Sequence, residues 1–512
     1  MRFSTCVVWT GLLFAITQFV SFGQPTARQT QYAAETGVLA ASDQTPFWLR
    51  ANQYGIVPLQ PSSLRLSGGI WSDYRLTDTT ASRRKTDWGY GLNVVANAGT
   101  NSQFLIPEAY VKGRLGVFEL YVGRRRELVG LVDTTLTMGA YAWSGNALPI
   151  PKVQIGLPTF TPIGFTKGFV SVLSTYSHGW FENRDRYVKG SYLHQFQFYA
   201  RLGKADARVR VYGGFNHQVI WAGQAGPNVL SPLVSVDGKL PSAIRYYPAV
   251  VIGERGLFDA DDRNVTSFED NRIGNHLGSV DFAADVNLGN WNAFIYRQFP
   301  YDDGSLFYLT NIQDGLNGLR LKNRSQPSGS LFSVRQVTLE YLFTGSQGGP
   351  EFVIEDPKRR GRDDYFNHAQ FIDGWTYFGR SLGNPFLTPA NEVQSDLKTR
   401  DFGIVNNRVS AVHLAIRALV YNKLDLTARL SYSVNAGTYP MPYLAMPRQV
   451  SGMLTAALPV GLFGGTVLSG SLAVDAGSLL PKSVGGYVSL RKSGVLGRKG
   501  TDTKAAGRLS TQ

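Results

Sequence analysis

Residues 424–436 read Leu-Asp-Leu-Thr-Ala-Arg-Leu-Ser-Tyr-Ser-Val-Asn-Ala, a strict alternation. Leu424, Leu426, Ala428, Leu430, Tyr432, Val434 and Ala436 fall on one face, and Asp425, Thr427, Arg429, Ser431, Ser433 and Asn435 on the other. Successive strand side chains point to opposite faces, so this segment is a strand between an oily and a wet surface. The pattern recurs at 280–288 and at 207–215. A soluble sandwich also alternates, with its apolar face inward. The number and length of these segments, together with an export signal, point instead to a membrane barrel.

The first residues read as that signal. Arg2 supplies the positive start, Val7–Val20 a short apolar core, and Ser21-Phe22-Gly23 the small residues at which cleavage after Gly23 is expected. The apolar run is short for a helix that must span a bilayer with roughly 20 residues. The single cysteine, Cys6, lies inside the signal. A mature chain without it has no disulfide, no zinc-thiolate site and no cysteine nucleophile.

Gly 56, Tyr 25, Phe 29 and Trp 9 in 512 residues suit many strands, many turns and aromatic girdles. A mean hydropathy of -0.12 is compatible with a barrel, which hides apolar residues in every second position. Strand-like runs fall at 88–98, 117–123, 193–202, 207–221, 279–288, 291–299, 334–343, 410–421, 424–436, 465–477 and 484–492. Polar stretches at 222–277 and 344–400 read as long external loops, opposite short periplasmic turns. The expected division is a signal peptide at 1–23, an N-terminal segment at 24–63, a barrel at 64–492 and a basic tail at 493–512. The N-terminal segment carries a strand-like stretch at 32–41 and a helical turn within 45–53. The formal charge is +14, concentrated in part in Arg491, Lys492, Arg498, Lys499, Lys504 and Arg508. An exported chain rarely meets nucleic acid, so acidic polysaccharide or lipid head groups are the better partners for that charge.

No constellation for catalysis stands out, and the chain is read as a non-enzyme without cofactor or metal. The six histidines show no metal-ligand spacing, and HExxH, P-loop and dinucleotide signatures are missing from the sequence. Asp259, Asp261, Asp262 and Asn264 cluster as calcium ligands would, without the glycine an EF-hand needs. Asp302-Asp303 with Asp314 resembles a glycosidase pair only superficially. Trp143, Trp180, Trp221, Trp291 and Trp375 read as an interfacial girdle, with stacking on sugar rings as the alternative.

Several ordered segments resemble the Wzi family of outer-membrane capsule-assembly proteins: FWLRANQYGIVP at 47–58, GRRRELVGLVDTTLTMGAYAWSGNALPIPKVQI at 123–155, YGGFNHQVIWAG at 212–223, NRIGNHLGSVDF at 271–282, DGLNGLRLKN at 314–323 and GRSLGNPFLTP at 379–389. The resemblance implies an all-β antiparallel transmembrane barrel of about 18 strands in the outer membrane. It further implies a lectin-like role that anchors or assembles capsular or other exported polysaccharide at the cell surface. Outer-membrane lipids and the polysaccharide export machinery are the implied neighbours. Two departures are visible: no N-terminal bundle of amphipathic helices, and a basic tail in place of an aromatic-ended last strand.

Arg124, Arg125, Glu127, Trp143, Ser144 and Asn146 lie in the most family-like stretch and are the candidates for polysaccharide binding or for a lumen network. Arginine forks suit carboxylates and aromatic faces suit sugars. Gly145-Asn146 followed by Pro149 and Pro151 reads as a shaped loop, since proline cannot donate to a ladder, and such a loop folded inward would narrow the lumen. The plainer role is bracing. A porin or transport channel is the alternative function; a soluble sandwich and a lipid- or glycan-cleaving enzyme are the other classes.

Overall fold

The computed structural model describes residues 28–496, apart from 62, 76–84, 254–261, 267, 269–271, 303–304, 326–330, 354, 357–360 and 463. The expected signal, its cleavage site, Cys6, most of the basic tail, and Asp259, Asp261 and Asp303 lie outside the described residues.

The chain forms an 18-stranded antiparallel sheet closed on itself. Its first half comprises β1 (Gln31–Ala41), β2 (Ser63–Ser72), β3 (Thr86–Gly99), β4 (Gln103–Leu115), β5 (Phe118–Arg124), β6 (Lys152–Pro162), β7 (Val170–Trp180), β8 (Tyr192–Leu202) and β9 (Val209–Trp221). The second half comprises β10 (Asn275–Leu288), β11 (Trp291–Asp302), β12 (Gly315–Asn323), β13 (Phe332–Phe343), β14 (Val409–Val420), β15 (Leu424–Asn435), β16 (Arg448–Val460), β17 (Thr466–Gly477) and β18 (Ser483–Val495). Each strand pairs with its sequence neighbours, and β18 pairs β1 from Gln31↔Val495 to Ala41↔Gly485. Closure leaves no row of unpaired backbone groups to face lipid.

The barrel therefore begins at Gln31 rather than at 64 and runs to Val495 rather than 492. The strand-like stretch at 32–41 belongs to the seam: without β1, β2 and β18 would each present an open edge. The alternation that decided the fold is kept in β15, where Leu430 and Tyr432 are exposed and Ser431, Ser433 and Asn435 are buried.

Segments 42–62, 125–151, 222–274 and 344–408 emerge from one rim, and turns such as 116–117, 289–290 and 421–423 from the other, which also holds both ends of the described chain. By the usual asymmetry of such barrels, the long segments face outward from the cell. Three of them fold back into the lumen. The four-residue helix α1 (Phe47–Arg50), the stretch from Val129 to Ile150 and the stretch from Tyr365 to Val405 meet in one apolar cluster that includes Trp48, Tyr141, Trp143, Phe366, Trp375 and Leu387. This plug fills the loop-side half of the barrel.

The plug has little sheet of its own, so its backbone donors need partners elsewhere. Polar residues on the lumen face of the wall supply them. Leu131 N donates to Asp281 Oδ2 (2.9 Å) and Tyr141 N to Gln298 Oε1 (2.8 Å). Phe47 N donates to Asp475 Oδ2 (2.8 Å), and Trp48 Nε1 to Ser431 Oγ (3.1 Å). Gly318 leaves room for the Tyr296 ring across the strands: a Cβ there would lie 2.1 Å from it. That placement lets the Tyr296 hydroxyl donate to Glu340 (2.6 Å) beside the plug.

Candidate functional site

The six residues singled out in the sequence are drawn together by the segment 125–151, but in two layers. Nearer the turn-side lumen, Arg125 pairs with Glu119 (2.6 Å) and Glu127 (2.8 Å) and stacks on Tyr121 at 4.0 Å. Lys152 pairs with Glu127 (2.6 Å). Burial alone would raise the Glu127 carboxyl, but the Lys152 ammonium and the Arg125 guanidinium outweigh it and hold the group down to about 2. The stabilisation from this ionised carboxylate is thus complete above its ordinary range and lost only as pH falls toward that value. Arg124 donates to the Tyr377 hydroxyl (3.0 Å), tying the wall to the plug.

Deeper in, Trp143, Ser144 and Asn146 are buried. Ser144 Oγ donates to Gly383 O (2.6 Å), Asn146 Nδ2 donates to Ser381 O (3.0 Å), and Asn146 Oδ1 accepts from Asn52 N (3.2 Å). Trp143 packs against Trp375 at 6.2 Å, and Lys152 lies 5.2 Å from its ring centroid. These three residues join the plug's three segments, and the side-chain polar atoms of Ser144 and Asn146 are spent on those contacts. Trp143→Ala is expected to cost about 3–5 kcal/mol through lost burial and a cavity. The heat-induced gel-mobility shift of the purified barrel should then fall in temperature; an unchanged transition would contradict the bracing role.

The girdle reading of the tryptophans needs correction. Trp143 and Trp375 belong to the plug. Trp221 is on the outer face but sealed under a loop, together with Val219, Tyr246 and Val250. Trp180 remains exposed on the outer face, and Trp291 is half-buried on it. Asp314 is a plug anchor, accepting from Ser346 N (2.9 Å), Gln347 N (2.7 Å) and Tyr365 (2.7 Å). Asp262 binds Arg245 and Tyr246.

Two surfaces that the sequence reading did not single out have the chemistry of sugar recognition. On the outer rim, exposed Tyr187 stacks edge-on with Phe402 at 4.8 Å, Arg400 lies over the Phe402 ring at 5.9 Å, and Phe378 is exposed nearby in chain terms, next to Tyr377. The patch stands on a rigid base, because Asp373 accepts from Tyr187 N and Val188 N (3.0 Å each) and Glu182 accepts from Phe378 N (2.8 Å). On the opposite side, below the plug, the lumen face carries arginines interleaved with aromatics. Arg201 lies over Phe160 and donates to Ser171; Arg320 lies over Phe294 and donates to Asn292. Arg210 and Arg417 pair with Asp285 (2.9 Å) and Asp425 (2.6 Å). Listing the wet-face residues of the alternating strands finds these arginines; nothing in the order of loop residues announces that Tyr187 and Phe402 meet.

No protein-family model matches the sequence, and no curated protein matches it. Among solved structures, Wzi, an outer membrane protein involved in group 1 capsule assembly in Escherichia coli and described as a carbohydrate-binding β-barrel, superposes with a TM-score of 0.55 at 13% identity, over 90% of this chain and 83% of that one. OccK5 (OpdH) of Pseudomonas aeruginosa aligns over 93% of this chain and 100% of its own at 9% identity with a TM-score of 0.44, and OccAB4 of Acinetobacter baumannii over 92% and 99% at 8% with 0.45. The chain is an outer-membrane-type β-barrel with the fold of Wzi.

Proposed function

We propose that this barrel is a non-enzymatic, lectin-like anchor that holds capsular or other exported polysaccharide at the outer face of the outer membrane. The observation that carries the reading is the lumen plug: loops that could have lined a channel are spent on a packed apolar core, while aromatic rings and cations are left at the outer rim. The likeness to a carbohydrate-binding barrel supports the same direction. Tyr187 and Phe402 offer ring faces for sugar C–H surfaces, and Arg400 beside them suits acidic sugars. Single contacts of this kind are weak, and a repeating polymer meeting many barrels multiplies them.

Deleting the gene should leave total polysaccharide unchanged while moving it from the cell-attached fraction to the medium. An unchanged partition would overturn the anchoring role for that polymer. Restoring the gene with Tyr187→Ala and Phe402→Ala should leave the polymer largely released, because each ring is worth about 1 kcal/mol per contact and the loss is repeated along the chain. Full retention by a normally folded variant would move the binding surface elsewhere.

A further inference from the structure

Four of the six histidines, scattered at 178, 194, 217 and 276, are gathered on the outward face of four consecutive strands, β7 to β10. His178 and His194 are directly opposed across β7 and β8. His217 Nε2 and His276 Nδ1 share a hydrogen bond of 3.1 Å, and the His194 and His217 rings are 6.1 Å apart. The positions lie near the loop rim, within a few residues of the strand ends.

These histidines do not face lipid directly. The segment 244–253, with its helix α2 (Tyr247–Ile252), lies over them on the outside of the wall. Ala249 and Val250 pack on Val219 and Trp221, and the Tyr247 ring touches His178, His194 and Trp221. Ile244 and Ile252 are exposed on the far side. The Tyr247 hydroxyl bridges Tyr176 (3.0 Å) and His194 Nδ1 (3.4 Å).

The hydrogen bonds assign the protons. His276 Nε2 lies 2.9 Å from the carbonyl oxygen of Ile273, which can only accept, so Nε2 carries a hydrogen. In a neutral His276 the other nitrogen, Nδ1, must then accept from His217 Nε2. Protonated His276 donates at Nδ1 as well, so the bond survives only if His217 moves its own hydrogen to its other nitrogen, and charging both rings breaks it. The resulting imidazolium would meet imidazoles, Tyr176, Tyr192, Tyr247 and Tyr301 in the cluster, and Arg272, itself cationic, acts on His217 and His276. Among the described residues, the carboxylate next along the chain from the covering segment, Asp262, faces away to Arg245 and Tyr246, and the Tyr246 hydrogen bond, aided by Asn264, holds it down to about 2. It stays ionised where imidazoles titrate and does not turn toward them.

We propose that this histidine–tyrosine cluster is an acid-sensitive latch: it clamps the external segment around Tyr247–Ile252 to the barrel's outer wall and releases it when the medium acidifies. The same external loop reaches the plug, where Leu230 and Leu240 join the apolar cluster and Gln370 donates to Val234 O (2.9 Å). Release at the wall therefore loosens one of the plug's supports. The latch stands independently of the polysaccharide reading.

The test uses the full chain folded in detergent, with Cys6→Ser and a spin label on Ile252→Cys. The label should be immobilised at about pH 7.5 and gain a mobile component several-fold larger at about pH 4.5, where imidazoles released from the wall into water are charged and the clamped state, which disfavours that charge, loses stability. His217→Gln with His276→Gln should abolish most of that response, since the amides keep hydrogen-bonding capacity but cannot take the charge. If this pair fails to fold, His276→Asn alone carries the test. Equal mobility at both pH values in a barrel whose gel mobility shows it folded, or a full acid response in the histidine variants, overturns the latch.

Discussion

Glu392→Gln is expected to destabilise the barrel by about 3–5 kcal/mol, the usual penalty for stranding a buried charge. Glu392 sits inside the plug between two guanidinium groups. It forms an ion pair with Arg50 of α1, and Arg380 Nη1 lies 4.0 Å from its other oxygen. All three side chains are nearly inaccessible to water. Burial, with the neighbouring Arg50 adding to it and Glu392 opposing, pushes Arg380 down to about 10, so the cation is under strain even with its partner present. Two further donors are fixed by carbonyls: Arg50 Nε to Thr45 O (3.0 Å) and Arg380 Nη2 to Val57 O (2.6 Å). A glutamine keeps the shape and removes the one charge that compensates both cations. The cost should appear as a lower midpoint in denaturant and a lower temperature of the gel-mobility shift. The triple change Arg50→Met, Arg380→Met, Glu392→Leu should recover most of it, because apolar replacement of a whole buried charge cluster is often neutral or better. An unaltered midpoint in Glu392→Gln would mean that water reaches the cluster.

The barrel was legible in the sequence because its physics is local. Alternation at 207–215, 280–288 and 424–436 needs only the strand period and two different solvents on the two faces. The expected runs at 193–202, 291–299 and 465–477 lie within a few residues of β8, β11 and β17. The seam was harder, because whether 32–41 closes a barrel depends on a partner more than 400 positions away, β18. The inward fold of 125–151 could be anticipated from Gly145, Asn146, Pro149 and Pro151, but its partners could not. Ser144 meets Gly383 and Asn146 meets Ser381 only after two long loops have entered the same lumen. The tryptophans were misassigned for the same reason: Trp143 and Trp375 have the composition of a girdle and the address of a plug. The histidines show no metal-ligand spacing along the chain because a sheet neighbour is set by register, as in His178↔His194, and not by sequence distance.

Excising residues 346–406 and joining the ends with a short turn is expected to open the lumen. The wall itself can survive the cut, since the flanking strands β13 and β14 are paired up to their ends through Phe343↔Ser410. What leaves is the largest part of the plug, including Phe366, Trp375, Leu387 and Val405, along with the partners of Ser144 and Asn146. The residues that lose partners at the loop-side end of the wall, Asp302, Asp314 and Asn435, are polar and tolerate water. Barrels of 16–18 strands leave an aqueous channel when nothing fills them, so conductance in planar bilayers should rise by about tenfold or more over the intact protein. The arginines below the plug, Arg201, Arg210, Arg320 and Arg417, would then line the path and favour anions. The intact protein should conduct little, and its polysaccharide retention should fall in the excised form together with the rim that carries Phe402. A variant that inserts, shows heat-dependent mobility and remains closed would show that 42–62 and 125–151 suffice to seal the lumen. An intact protein that already conducts at porin levels would instead make transport, and not anchoring, the activity that the barrel serves.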